Sequence, residues 1–232
     1  MTHSSTPAPA PTRTPLTARG QRTRQKLVEA AEAEFAEQGY ERASISGIVG
    51  RAQVAQGTFY VYFPDKKTIF VELVDSLGER LRTHLALAVR GCKDRLEVER
   101  EGLRAFLLFT AQHRGLYRIV PQAEFVDEEC YRRYYRTLAR GYSKGLKAAM
   151  ARGELRSLDP EVLAHCLMGL NDMIGLNFVL WRPSARVDEL VEQVMDFIAH
   201  GLAPGGVRKT GGPGMGSGKG KKASAARLRS AP

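Results

Sequence analysis

Residues 42–63 constrain this chain more than any other stretch, because they read as two short helices around a tight turn. Ser44 suits the N-cap of the first, where its hydroxyl can accept a bond from an orphan backbone N–H. Ile45, Ile48, Val49 and Ala52 then follow at helical spacing and form one apolar face on a helix too short to stand alone. Gln53-Val54-Ala55 forms the turn, with Val54 expected to be buried between the helices. The second helix, about 56–62, displays Gln56, Thr58, Tyr60 and Tyr62, with Gly57 near its start. Gln pairs with base edges, Thr and Tyr hydroxyls bond phosphates, and a glycine lets backbone approach closely. The pair therefore reads as a helix-turn-helix whose second helix suits the major groove of DNA. The same pattern also fits a helical hairpin whose tyrosines are only packing residues.

The flanks bear on that choice. Pro64 stops the second helix, and a new helix opens at Lys66 and Lys67 with the apolar run Ile69, Phe70, Leu73, Val74, Leu77 and Leu81. Upstream, residues 18–38 form an amphipathic helix on Leu27, Ala30, Ala31, Glu34 and Phe35, ending at Gly39 as a left-handed C-cap. Arg19, Arg22, Arg24 and Lys26 cluster at its start. These stretches together resemble the DNA-binding domain of the TetR family of bacterial transcriptional regulators. The match rests on Ala30-Ala31, Phe35, Gly39-Tyr40, Ser44-Ile45, Ile48, the run Val54–Phe63 and Lys66, over about residues 19–70.

The resemblance implies an all-α fold, with a three-helix DNA-binding head at 17–65 and a helical ligand-binding and dimerisation domain at 66–202. It implies a homodimer on a double-stranded DNA operator, released by a small-molecule effector, and most simply a repressor. Arg22, Ser44, Gln56, Gly57, Thr58, Tyr60, Tyr62 and Lys66 are the expected DNA contacts. Two positions depart from the family pattern. Gln53 stands where the turn usually has Gly, and Ala55 stands where a Ser or Thr usually caps the recognition helix. A missing N-cap costs on the order of 1 kcal/mol, which predicts a weaker, more DNA-dependent helix.

Downstream, 95–113 and 124–151 read as helices, with a short irregular piece at 116–120 between them. The second carries tyrosines and arginines together. It fits an amphipathic helix with tyrosines inside, a second nucleic-acid surface, or a cleft with aromatic walls. Residues 160–181 are the most apolar helix, followed by 187–202. Apolar surface in excess of what one small domain covers predicts a dimer interface from Leu163, Leu167, Leu170 and Ile174 with Leu190, Val194, Phe197 and Ile198. The TetR resemblance likewise implies that the last two helices dimerise.

Expected effector-pocket walls are Leu77, Leu81, His84, Phe106 and Phe109, with His113, Tyr117, Phe125, Tyr134 and Asn177. Their aromatic and aliphatic character favours a large apolar or acyl-containing ligand. The stretch from about Leu116 to Trp181 is similar to members of the family that sense fatty acyl-coenzyme A.

Composition excludes other classes. The chain has 232 residues and a net charge of +10, but 203–232 hold seven cations and no acid, so only +3 falls on 1–202. The net charge is thus weak support for DNA binding by the folded body. Residues 1–16 are expected to be a disordered arm and 203–232 a flexible basic tail. No secretory signal and no membrane-spanning run are expected. Cys92, Cys130 and Cys166 are far apart and predict buried thiols in a reduced, cytoplasmic protein. No cofactor is expected. An enzyme would need His84, His113 or His165 beside one of those cysteines, and no spacing brings such a set together. No phosphate-binding glycine loop and no metal-ligand spacing occurs either.

Overall fold

The computed structural model describes residues 17–182 and 186–202, and every regular element among them is helical. The arm and the basic tail expected from sequence, and the break at Pro183-Ser184, lie outside the described residues.

Helix α1 (Ala18–Arg42) begins where the Thr17 hydroxyl accepts from the Gly20 N–H at 3.2 Å. It leaves helical geometry at Gly39, with φ 73° and ψ 164°. That ψ lies beyond the left-handed helical basin expected there, in a region essentially reserved for glycine. Helix α2 (Ile45–Ala52) is capped as expected, with the Ser44 Oγ accepting from the Gly47 N–H at 3.0 Å. Gln53 then takes φ 55°, ψ 46° and so performs the turn usually left to glycine. Helix α3 (Gln56–Tyr62) follows, and Ala55 supplies it with no side-chain cap. Helix α4 (Lys66–Ala88) restarts on Asp65, whose carboxylate accepts from the Thr68 N–H at 2.7 Å.

Four phenylalanines lock these helices together. Phe35, Phe59, Phe63 and Phe70 have no exposed surface, and Phe35 meets Phe70 edge to face at 5.1 Å. Val54 is only half-buried, because the turn carries it to the rim of this core. The core continues along α4 through Leu73, Val74, Leu77 and Leu81.

Helix α5 (Arg95–Gln112) leads to α6 (Gly115–Ile119), a 3₁₀ turn (Val120–Gln122) and α7 (Ala123–Val126). The helix expected over 124–151 is in fact two. Asp127 is extended and caps α8 (Glu128–Ala151), its carboxylate accepting from the Cys130 N–H at 2.9 Å. A capping aspartate therefore ends one helix and starts the next. Helix α9 (Pro160–Ile174) widens into a π-helical stretch, Gly175–Trp181, and α10 (Val187–Leu202) closes the described chain. The Tyr117 hydroxyl crosses closely at Gly175, where a Cβ would lie 2.1 Å from its oxygen.

A second core joins α5, α8, α9 and α10, and it overturns part of the expected interface. Leu163, Leu167, Leu190, Val194 and Ile198 are buried inside the subunit itself. Leu170 and Ile174 are half-buried against the same core. Helical spacing marks an apolar face without saying what covers it, and here α8 packs on α9 and α5 on α10. Phe197 is 70% exposed, as are Val162 (61%), Met173 (58%) and Trp181 (63%). Contrary to expectation, the 22-residue stretch Pro160–Trp181 is long and apolar enough to cross a membrane by length and composition, with 28% of its most apolar window buried in the subunit. The buried-thiol expectation holds for Cys130 alone, since Cys92 is half-buried and Cys166 exposed.

Candidate nucleic-acid interface and internal cavity

Helix α3 is held by one side and open on the other. Phe59 anchors it, Thr58 and Tyr62 are half-buried, and Gln56, Gly57 and Tyr60 are exposed. A Cβ on Gly57 would meet nothing within 4 Å, so the backbone there can be approached from outside. Val61, absent from the sequence-based set, is 76% exposed on the same helix. Its only sequence signal is an apolar residue out of phase with Phe59. Exposed Ser46 lies beside the capping Ser44, their hydroxyls 2.9 Å apart.

The head's basic residues divide into committed and free. Arg22, like Arg19 and Lys26, is exposed and in no ion pair among the described residues. Arg24 is tied to Glu72 and lies over the Phe63 ring at 5.1 Å. Lys67 pairs with Asp127 at 3.0 Å. Lys66 is a correction: its Nζ donates to the carbonyls of Tyr40 (2.8 Å), Glu41 (3.3 Å) and Ala43 (3.1 Å) and sits over the Tyr40 ring. An ammonium has three N–H donors. All three close the end of α1 instead of facing a phosphate. The buried Glu34 carboxylate pairs with Arg51 at 2.8 Å and lies so close to Gly47 that a Cβ there would meet its oxygen at 2.2 Å. Glycine at position 47 thus lets α2 lie against α1.

A cavity of about 560 Å³ opens between α4, α5, α6, α8 and α9. Of the expected walls it gathers Leu81, Phe106, Tyr117 and Tyr134. The other six lie elsewhere. Leu77 is fully buried in the first core, because its turn of α4 faces α1 and α8. Phe109 also packs there, its ring tilted against those of His84 (5.3 Å) and His113 (4.3 Å). His113 accepts from Arg80, which also pairs with Glu32 of α1 at 2.8 Å. Burial, and then the Arg80 charge, hold the His113 pKa below its usual value. Phe125 is 87% exposed, because α7 is a single turn that points it outward. Asn177 sits in the π-helical stretch away from the walls. Aromatic type alone does not reveal which side of a helix a residue occupies relative to a void.

Sequence reading missed several walls. Tyr135, Leu138 and Tyr142 come from the tyrosine stripe of α8, so both the inner-face and the aromatic-cleft readings of that helix hold. Arg95, Glu99, Asn171 and Asp172 add polar groups. Arg95 and Glu99 are both buried and pair at 2.6 Å, and the Tyr142 hydroxyl also donates to Glu99. Burial, then the Glu99 charge, push the Tyr142 hydroxyl well above its ordinary range. Desolvation likewise raises the pKa of Tyr117 and Tyr134 and that of the Asp172 carboxyl.

The chain's likenesses agree with this geometry. Residues 27–73 match the family described as bacterial regulatory proteins, tetR family. The HTH-type transcriptional regulator TtgR of Pseudomonas putida is 31% identical over 191 residues, 76% of this chain and 89% of that protein. The uncharacterized HTH-type regulator YdgC of Bacillus subtilis is 28% identical over 200 residues, 82% of this chain and 98% of that protein. Among solved structures, the fatty acid degradation regulator FadR from Bacillus halodurans superposes with a TM-score of 0.68 at 22% identity, over 76% of this chain and 94% of that one. At that identity the likeness concerns the fold.

Proposed function

Because this chain belongs to the TetR family of bacterial regulatory proteins, it is a DNA-binding transcriptional regulator and not an enzyme, and we propose that it is an effector-released repressor. A homodimer, acting in the cytoplasm without a cofactor, sets Gln56, Gly57, Tyr60 and Val61 of each subunit's α3 into one half-site of a palindromic operator. Arg22 contacts the backbone beside it. Residues 17–65 act as the reading head and 66–202 as the sensing and dimerising part. Phe197, Val162, Met173 and Trp181, exposed on the last two long helices, support pairing with a second copy over burial in lipid.

The observation that carries this reading is a shared wall. Leu116, Tyr117, Val120 and Pro121 line the cavity. Arg118, between them, donates to the Ala36 carbonyl at 3.0 Å, and Gln122, next after Pro121, accepts at its Oε1 from the Tyr40 N–H at 2.5 Å. Both bonds hold the end of α1, where Lys66 is also bound. Helix α4 adds a second route, with Leu81 and Leu85 on the cavity and Ile69 and Phe70 in the head core. A ligand that favours one position of this wall biases the head, and only its differential affinity for the two states does so. An apolar or acyl-containing molecule fits the hollow. A purely architectural DNA binder would have no use for it.

The test begins with genomic fragments selected on the purified protein. An enriched palindromic duplex, followed by fluorescence anisotropy, should show a dimer released by an extract-derived apolar ligand identified by native mass spectrometry. A monomer by light scattering at micromolar concentration, or binding indifferent to every cavity ligand, overturns the reading.

A further inference from the structure

The polar groups around the cavity are unevenly satisfied. Most donors are spent. The Tyr117 hydroxyl donates to the Asp172 carbonyl at 3.1 Å, Thr137 to the Arg133 carbonyl at 2.7 Å, and Tyr142 and Arg95 both donate to Glu99. Two acceptors on neighbouring residues of α9 stand apart from these bonds, one fully buried and one on a half-buried residue. The Asn171 Oδ1 is buried with no hydrogen-bond partner. It lies next to the Arg95–Glu99–Tyr142 group on the cavity wall. The Asp172 carboxyl is in no ion pair among the described residues, and the Tyr117 hydroxyl beside it donates to the Asp172 backbone carbonyl. Tyr117, Tyr134 and Tyr135 surround it, and burial disfavours its charge.

One cation, Arg82 of α4, also reaches this cavity, beside the Tyr134 ring. It is half-exposed, so water can solvate its guanidinium. The buried Asn171 Oδ1 has no such substitute, and leaving a buried acceptor unmade is the expensive case. The acceptor end is therefore the end that a ligand completes.

We propose that the effector carries a protonated amine on an apolar or aromatic body, with its N–H groups bonded to the Asp172 carboxylate and Asn171 Oδ1 at the tyrosine-lined end of the cavity. This rests on the effector reading above. The tyrosine faces add cation–π attraction to the same charge. A carboxylate or phosphate head would meet Asp172 as a like charge and would have to retreat to Arg82.

Calorimetric titration of the full chain with dodecylamine and dodecanoate below their micellar concentrations, and with dodecanol below its solubility limit, separates the alternatives. The amine should bind at least about tenfold tighter than the alcohol, the ratio that about 1.4 kcal/mol represents. Asp172→Asn should remove that preference and leave the alcohol unchanged, which also shows that the variant is folded. Arg82→Gln should leave the amine unaffected. The proposal is overturned if amine and alcohol bind alike, as they would with water satisfying Asn171. It is equally overturned if the preference survives in Asp172→Asn, or if dodecanoate binds best and loses affinity in Arg82→Gln. The neutral dye N-phenyl-1-naphthylamine reports separately on the cavity. Dye binding without amine preference sinks this inference alone, whereas no binding by the dye or any of the three sinks the effector reading with it.

Discussion

The head and the sensing part are built from similar helices and packed in opposite ways. In the head, Phe35, Phe59, Phe63 and Phe70 leave no surface exposed, and α3 is fixed by a single buried ring. In the remainder the second core lies beside a hollow of about 560 Å³ walled in part by tyrosines. A close-packed interior transmits displacement, because its pieces have few alternative arrangements. A hollow one can accept a guest without first being broken open. The contrast fits the proposed roles, a reading head that keeps its shape and an effector-binding part that changes it.

The largest effect should come from emptying the packed region. Phe35→Ala should cost about 3–5 kcal/mol of unfolding free energy by denaturant titration. It should also abolish DNA binding. A loss under about 1 kcal/mol would mean that the head is not close-packed, and the contrast would fail.

Next comes the junction. Lys66→Met keeps the stem but strands three carbonyls at the end of α1, and should cost roughly 1–3 kcal/mol. The salt dependence of DNA binding should stay the same, because the ammonium is spent inside the protein. A salt slope lower by about one unit would place Lys66 on a phosphate after all.

Ala55→Ser should restore the missing cap of α3 and stabilise the protein by on the order of 1 kcal/mol in thermal melting without DNA. Operator and scrambled duplexes should then bind more tightly together, since a cap reads no base. Tighter binding at unchanged melting temperature would assign the new hydroxyl to a phosphate. No change in either would mean that position 55 neither caps α3 nor meets the backbone.

The smallest stability effect belongs to the hollow. Leu138→Phe adds volume on a cavity wall and should shift stability by less than about 1 kcal/mol, where the same overpacking in a filled core costs roughly 1–3. It should nevertheless weaken binding of an apolar dye. A large destabilisation would show that the space is not available to a guest.

Local chemistry made much of the head readable in advance. Ser44 as a cap, the turn at Gln53, the bare Ala55 and the stop at Pro64 each act within a few residues, and apolar spacing placed Phe35 and Ile48 in a core. The same locality exposed α10 at 187–202. Helical periodicity also separates the tyrosines of α8 from its arginines, but leaves open whether those tyrosines face a core, a cleft or nucleic acid.

Tertiary structure decided what those faces meet. Leu163 and Ile198 are as apolar as any interface residue, but the second core of their own subunit buries them first. Lys66 carries a charge fit for a phosphate, and the end of α1 claims it. Phe109 and Phe106 lie three residues apart on α5, one in the core beside His113 and the other on the cavity. Spacing along a helix sets directions relative to its own axis, whereas the neighbour found in each direction depends on how distant helices cross.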